Sequence, residues 1–523
     1  MPMRTSFSAS PSPAIAHQRR RWHHRAAWAL LLALSACGGD SDGDATPEGR
    51  AQALAAGAAA TSWIEVPQVA DPLIDGVVPG AQADTLGMFS PVLPWAINAI
   101  HLTQLPNGKV MGWGPRGDAL AAMTYDVWDP AKGTTLAAAH TVWDDFGKPD
   151  SFCGGATYLP SGVLLQGEGG SDGVAKSTFI FDPATQARVQ LATSFAHQRW
   201  YATMLTLADG RALTLGGMVP YTEGQYANPV GALNAGQSSL TPEIFELAQA
   251  GDPKSGAWRS LLGASSELAF GPQFLRSSYP RAWVAPDGKV FGISTEQMWS
   301  LDPDGNNGQG VVTPLGAFKT GRDDVTRPNI GTPGTAVMYA PGRILKVGGN
   351  GYWVLDGAVA SAAATIVDIN GPTPQLTEAA PMRFGRRMVN ATVLPDGQVF
   401  VHGGTELAIS EVNAVRTPEM WNPTTGLWTT MAPAVRARLY HNTAVLLENG
   451  TVLTAGGGTP GLPAATIDPA MPVALARVLA STTVWSGAPE ITRVASSSTP
   501  RAGAPTGGAS AASRTTSVET HAL

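Results

Sequence analysis

The chain is 523 residues long, carries a formal charge of −6 and is 14% charged, against roughly 25% in a typical soluble protein. The mild acidic excess leaves no basic face for nucleic acid, and nothing after the N-terminus approaches the run of about 20 apolar residues that a membrane-spanning helix requires. With 60 glycines and few charges, the composition points to many short strands and turns.

At the start of the chain, Arg19, Arg20, Arg21 and Arg25 precede the apolar run AAWALLLALSA. That run is too short to span a bilayer and has the layout of an export signal. It ends in LSAC at Leu34–Cys37, which resembles a bacterial lipoprotein signal; an ordinary secretory signal with a chance cysteine is the alternative. The resemblance implies that residues 1–36 are removed, that Cys37 is lipidated, and that the mature protein sits at the cell envelope, periplasmic or on the surface. Residues 37–85 read as a tether and entry segment, polar and Ala/Gly-rich at first. The chain has two cysteines, so Cys153 has no disulfide partner within the exported protein.

From there one pattern recurs: an apolar strand, a turn built on glycine, a second apolar strand, then often Gly-Gly. It appears as LPNGKVMGWG, LPSGVLLQGEGG, LADGRALTLGG, APDGKVFGIS, APGRILKVGG, LPDGQVFVHGG and LENGTVLTAGGG, with turn glycines at 108, 162, 210, 288, 342, 397 and 450. Asn-Gly and Asp-Gly between apolar runs are strong hairpin signals, because both residues tolerate positive φ. Between the hairpins lie strand-like pieces such as TYDVWDP, TFIFDP, TPEIFEL and EQMWSLDP. Seven such units predict an all-β chain, a seven-bladed kelch-type β-propeller over residues 86–487, with a long loop around residues 218–239. A β-sandwich is the competing architecture, but it does not explain the repeated Gly-Gly. Residues 488–523 are low in apolar side chains and read as a disordered tail.

The repeat also supplies a ruler. Nine residues before the turn glycine, the seven units carry Ala99, Cys153, Tyr201, Tyr279, Pro333, Met388 and His441, with Tyr440 just before the last. Equivalent positions in a ring lie at equivalent places, so Cys153, Tyr201 and His441 would converge if that position faces the axis. Successive strand residues point to opposite faces; Tyr440 and His441 therefore serve one centre only if the strand begins or bends there.

The motifs FCGG at Phe152–Gly155, RWYAT at Arg199–Thr203 and RLYHNTAVLL at Arg438–Leu447, in this order on the kelch pattern, resemble the copper radical oxidases, the galactose oxidase and glyoxal oxidase family. The similarity runs from about Phe89 to Gly458, and the RWY form is closer to the glyoxal oxidase branch. The resemblance implies copper bound by Tyr201, Tyr440 and His441. It implies a protein-derived cofactor in which Cys153 is joined through sulfur to the ring of Tyr201, with Tyr440 as the axial phenolate and general base. It implies oxidation of small aldehydes or primary alcohols by dioxygen, with hydrogen peroxide as product, by an enzyme expected to be monomeric.

Departures from the family pattern are equally specific. Galactose oxidase has a tryptophan stacked over the cross-linked pair, and the matching position here is Val219. The family's C-terminal β-sandwich, which supplies a second copper histidine, is not recognisable after Gly458. The tail reads as a remnant of that domain or a replacement for it, a shifted or truncated frame or a true variant being the two explanations, and no ligand role is carried onto His521. Tyr279 reads as core packing, with a place behind the metal ligands as the alternative, Trp200 as a shield or an ordinary packed indole, and RGD at 116–118 as a turn. Arg276 and Arg281 are anchored by no motif, and His101, His197 and His402 read as solvated or hydrogen-bonded. The alternative function is a non-catalytic, surface-anchored kelch propeller that binds polysaccharide or protein.

Overall fold

The computed structural model describes residues 70–116, 119–144, 150–170, 175–220, 234–318, 331, 333–352, 358–407, 409, 411–457 and 474–477. The signal, Cys37, most of the tether, Gly117 and Asp118, residues 221–233, the 488–523 tail and His521 lie outside these residues. No helix among the described residues is long and apolar enough to cross a membrane.

The chain folds as an all-β propeller of four-stranded antiparallel sheets. Each glycine turn foreseen in the sequence joins the first two strands of a sheet. In the first sheet Gly108 joins His101–Gln104 to Val110–Arg116, and Ala119–Trp128 and His140–Asp144 follow outward. The second, third, fourth, fifth and sixth sheets repeat this order over residues 156–194, 200–260, 281–317, 335–379 and 390–430. The seventh is composite: Asn442–Leu446, Val452–Gly456 and Ala474–Arg477, with Met88–Phe89 from the other end of the chain as its outer strand. Each turn glycine has φ between +68° and +90°, a region in which a side chain meets the backbone.

Burial rises from the rim to the middle of each sheet. The fourth strand of the second sheet, Ala187–Ser194, is mostly exposed or half-buried, whereas second strands such as Ala212–Met218, Val290–Ser294 and Val452–Gly456 are buried at every residue. A strand buried on both faces is covered by sheets on either side. Accordingly, every neighbouring pair of sheets shares an apolar core. One example is Leu213, Leu215, Val290 and Trp299 between the third and fourth sheets. Another is Leu102, Val110, Leu453 and Ala455 between the first and the seventh, so the succession returns to its start.

The repeated Gly-Gly staples one sheet to the next. Its second glycine donates its N–H forward, Gly217 to Ser277 O at 2.7 Å, Gly349 to Arg386 O at 2.9 Å and Gly404 to Arg438 O at 2.7 Å. Its first glycine accepts from a buried arginine of its own sheet: Arg199 to Gly216 O at 2.6 Å, Arg386 to Gly403 O at 3.1 Å, and Arg438 to Gly456 O at 2.8 Å. Both donor and acceptor need the chain in the left-handed region. A Cβ on Gly404, at φ +91°, would fall 2.5 Å from Arg387 O. Gly404→Ala is expected to destabilise the protein by about 1–3 kcal/mol, read as a lower denaturant midpoint.

Candidate metal centre

The register positions found by counting back from the turn glycines lie where the innermost strands begin. Tyr201 is the second residue of Trp200–Thr206, Tyr279 and Met388 precede their strands by two residues, and His441 sits in a turn directly before Asn442–Leu446. Four of these residues have positive φ: Tyr201 at 66°, Tyr279 at 42°, Met388 at 57° and His441 at 63°. Such conformations are uncommon for residues with a Cβ and persist only where the surroundings enforce them. Here backbone hydrogen bonds between neighbouring sheets do so. Tyr201 N donates to Cys153 O at 3.2 Å, Tyr279 N to Tyr201 O at 2.8 Å, and Met388 N to Pro333 O at 2.8 Å.

This arrangement gathers a hub cluster distinct from the inter-sheet cores: Cys153, Trp200, Tyr201, Tyr279, Met388 and Tyr440 are buried together, with Phe152 packed against them. The Tyr201 and Tyr440 hydroxyls are 3.0 Å apart. The Tyr440 ring stacks on the His441 imidazole at 3.7 Å between centroids, and Phe152 meets that imidazole edge-on at 5.1 Å. The turn before Asn442, with His441 left-handed, lets these consecutive side chains share one centre; a regular strand would send them to opposite faces. The Cys153 thiol is a hydrogen-bonding neighbour of Trp200, Tyr201 and Tyr279, and its carbonyl accepts the Tyr279 hydroxyl at 3.0 Å.

Burial sets the electrostatics. Cys153, Tyr201, Tyr440 and His441 are each at most 5% exposed. Burial raises the Tyr201 phenol well above its ordinary range, and Tyr440 adds to the rise. Burial likewise lifts the Tyr279 phenol, helped by Cys153, and the Cys153 thiol, helped by Asp150. These groups are neutral at pH 7 unless a cation joins them. Among the described residues no three His, Cys, Asp or Glu side chains cluster as a metal site, so any ion at the hub would rest on phenol oxygen and imidazole.

Two further aromatic residues stack on the Tyr201 ring. The plane over Tyr201 is Trp200, the residue just before it, with centroids 4.0 Å apart and planes 18° apart. Half-buried Val219 instead continues the strand that ends at Met218. Tyr279 stacks against the other neighbourhood of Tyr201 at 4.9 Å; its shared register was the signal that could have placed it at the hub. Arg276 pairs with Glu296, and Arg281 donates to Gly334 O at 2.8 Å.

His197 is exposed, whereas His101 and His402 are buried. His101 Nε2 donates to Phe152 O at 2.6 Å and its ring stacks on Trp113 at 4.6 Å. Burial pushes its pKa down to about 4; burial, with Arg438 and Arg386, takes His402 down to about 3. Both imidazoles stay neutral in the folded state while the unfolded chain gains protons below about pH 6.5. Their contribution is complete above that pH and is lost as pH falls toward the folded values. Between pH 6.5 and 4 the loss amounts to roughly 3 kcal/mol for each. Urea midpoints against pH should show this fall, with a shallower slope in His402→Gln.

No family model matches the chain. A galactose oxidase of Gibberella zeae is 28% identical over 388 residues, covering 71% of this chain and 51% of that protein. An aldehyde oxidase of Arabidopsis thaliana is 23% identical, covering 64% and 54%; one of Vitis pseudoreticulata is 25% identical, covering 59% and 56%. The chain thus spans about half the length of these curated relatives. A fungal alcohol oxidase of the AA5 family, solved in complex with copper, superposes with a TM-score of 0.60 at 21% identity, covering 75% of this chain and 76% of that one. That likeness concerns the fold.

Proposed function

The chain resembles the copper radical oxidase family in sequence and in fold, and from that premise we propose that it oxidises small aldehydes or primary alcohols with dioxygen to give hydrogen peroxide. In this reading the sheets are seven blades around one axis, Cys153 is joined through sulfur to the Tyr201 ring, and Tyr201, Tyr440 and His441 hold copper. The observation that carries it is the meeting of the Tyr201 and Tyr440 hydroxyls at 3.0 Å, from the third and seventh sheets, with the Cys153 thiol beside them.

The donors suit the ion. Imidazole nitrogen is a good ligand for Cu(II), and oxygen donors complete tetragonal N,O sites. The Tyr201 and Tyr440 hydroxyls, 3.0 Å apart, and the buried His441 imidazole stacked on the Tyr440 ring are the residues that would hold copper. Copper, when bound, would stabilise the phenolate forms and supply a one-electron acceptor beside the oxidised Tyr201. Tyr440 then takes the hydroxyl proton of the substrate as general base. The Tyr201 oxygen takes a hydrogen atom from the substrate carbon, and the sulfur of Cys153 lends electron density to the oxidised ring. Trp200 covers the ring and keeps water from it. The substrate loses two electrons and two protons, and dioxygen gains them. Export and a lipid anchor at Cys37 would place this monomeric enzyme outside the cytoplasm.

A peroxide-coupled assay on copper-replete protein, over a series of aldehydes and primary alcohols, tests the proposal. Activity that disappears in Tyr201→Phe and Cys153→Ala is expected. In peptide maps the Cys153 and Tyr201 peptides are expected to run joined, lighter by the two hydrogens lost on forming a carbon–sulfur bond. Peroxide from no substrate would overturn the activity, and unjoined peptides after exposure to copper and oxygen would overturn the cofactor.

A further inference from the structure

Tyr440 and His441 occupy the two corners of a hydrogen-bonded turn, in which Asn442 N donates to Leu439 O at 3.1 Å. His441, the second corner, has φ +63°, and turns with positive φ there ordinarily carry glycine or asparagine. Tyr201, Tyr279 and Met388 are held left-handed by N–H donations to neighbouring sheets. The turn at His441 has in addition a pair of side-chain amides. Asn442 Nδ2 donates to Leu439 O at 2.5 Å and to Met388 O, just before the sixth sheet, at 2.7 Å. Asn390, the first residue of the sixth sheet, donates through Nδ2 to Asn442 O at 2.6 Å and to Asn442 Oδ1 at 2.7 Å. Both acceptors of Asn442 Nδ2 are carbonyls, which leaves its Oδ1 to face Asn390 and dictates the orientation of both amides. Asn442 and Asn390 are 0% and 5% exposed, so these bonds form away from solvent.

We propose that Asn390 and Asn442 are positioning residues, a clamp that keeps the Tyr440–His441 turn closed and so aims the phenol and the imidazole at one ion. A side chain held left-handed relaxes toward extended backbone when its turn loosens, and in an extended strand Tyr440 and His441 would point to opposite faces. The amides oppose that relaxation from two directions. Asn442 ties the end of the turn to its start, and Asn390 ties it to the neighbouring sheet. The role toward copper rests on the oxidase reading above; the closing of the turn does not.

Two variants of the full chain test the clamp. Asn442→Asp is close to isosteric but sets a carboxylate against two carbonyl oxygens. Asn390→Ala is milder, leaves the Leu439 and Met388 bonds in place, and carries the test should Asn442→Asp not fold. Copper(II) affinity, measured by competition with a chelator, should weaken by about 10–100-fold, the usual effect of groups that orient metal ligands. The copper(II) electron paramagnetic resonance spectrum should change with it. Val290→Ala, in the core between the third and fourth sheets, controls for general loosening and should keep both the affinity and the spectrum. In metal-free protein, hydrogen exchange at Asn442 N–H should speed in Asn390→Ala while exchange in the third and fourth sheets stays the same. Unaltered affinity and spectrum in the folded variants, or equal changes in Val290→Ala, overturn the clamp. Were the unmodified protein to bind no copper, the copper reading would fall by itself, and unchanged exchange at Asn442 N–H in Asn390→Ala would then overturn the clamp.

Discussion

Tyr440→Phe is expected to lower peroxide-forming turnover by about 10²–10⁴, the range that a positioned proton-transfer group contributes. The substitution removes one oxygen. The ring that stacks on His441 at 3.7 Å remains, so the local packing persists. The Tyr201 hydroxyl loses its partner at 3.0 Å, and with it one of the influences that raise its pKa. Because the substitution leaves Cys153 and the Tyr201 ring together in the hub cluster, the joined Cys153–Tyr201 peptide should still appear in Tyr440→Phe. Turnover lost together with the joined peptide would instead assign Tyr440 to assembly of the centre. Unchanged turnover would remove it from the reaction.

Glu243→Gln should be among the most damaging single changes to stability, at about 3–5 kcal/mol. Arg199 and Glu243 are 0% and 1% exposed in their side chains, with Nη2 at 2.7 Å from Oε1. The guanidinium also donates to Gly216 O and Thr241 O, and the carboxylate accepts from Ala196 N at 2.7 Å. Breaking such a pair strands a buried charge, which is why the loss exceeds that of a surface ion pair. The sixth sheet provides an internal control. Arg386 and Glu419 form the same pair at 2.8 Å, equally buried, and Arg386 also binds Gly403 O. Glu419→Gln should cost a similar amount in urea unfolding. The two variants should part at the hub: Arg199 directly precedes Trp200 and Tyr201, whereas Arg386 leads to Met388. Under conditions where both variants are folded, only Glu243→Gln should impair joining of Cys153 to Tyr201.

What the sequence discloses and what it hides follow a physical division. Turn glycines are legible because positive φ is nearly their private territory, and each of the seven falls where the first two strands of a sheet meet. The register counted from them brings Cys153, Tyr201 and the Tyr440–His441 pair to one cluster, because equal counts along equal strands reach equal heights. The partner of the Tyr201 ring was legible only in part, since Trp200 read as a shield or as an ordinary packed indole. Analogy pointed downstream, to Val219, but the left-handed backbone at Tyr201 lays its ring along that of the preceding residue, Trp200. The burial of His101 and His402 was hidden too, since it depends on which neighbouring sheet covers each side chain. Nor does local pattern announce that Met88–Phe89 completes a sheet with residues from the other end of the fold.

Tyr201 and Tyr440, whose hydroxyls touch, are separated by 239 positions along the chain. Contacts of such high order are reached late and slowly in folding, after long stretches of chain have been fixed. A partly folded intermediate that holds the second and third sheets can bring Cys153 near Tyr201, but it cannot present Tyr440 and His441 until the last sheet docks. Under the proposed cross-link, the joining of Cys153 to Tyr201 would also act as a timer: its rate should follow the slowest folding phase, and chains stalled before that phase should keep a free thiol.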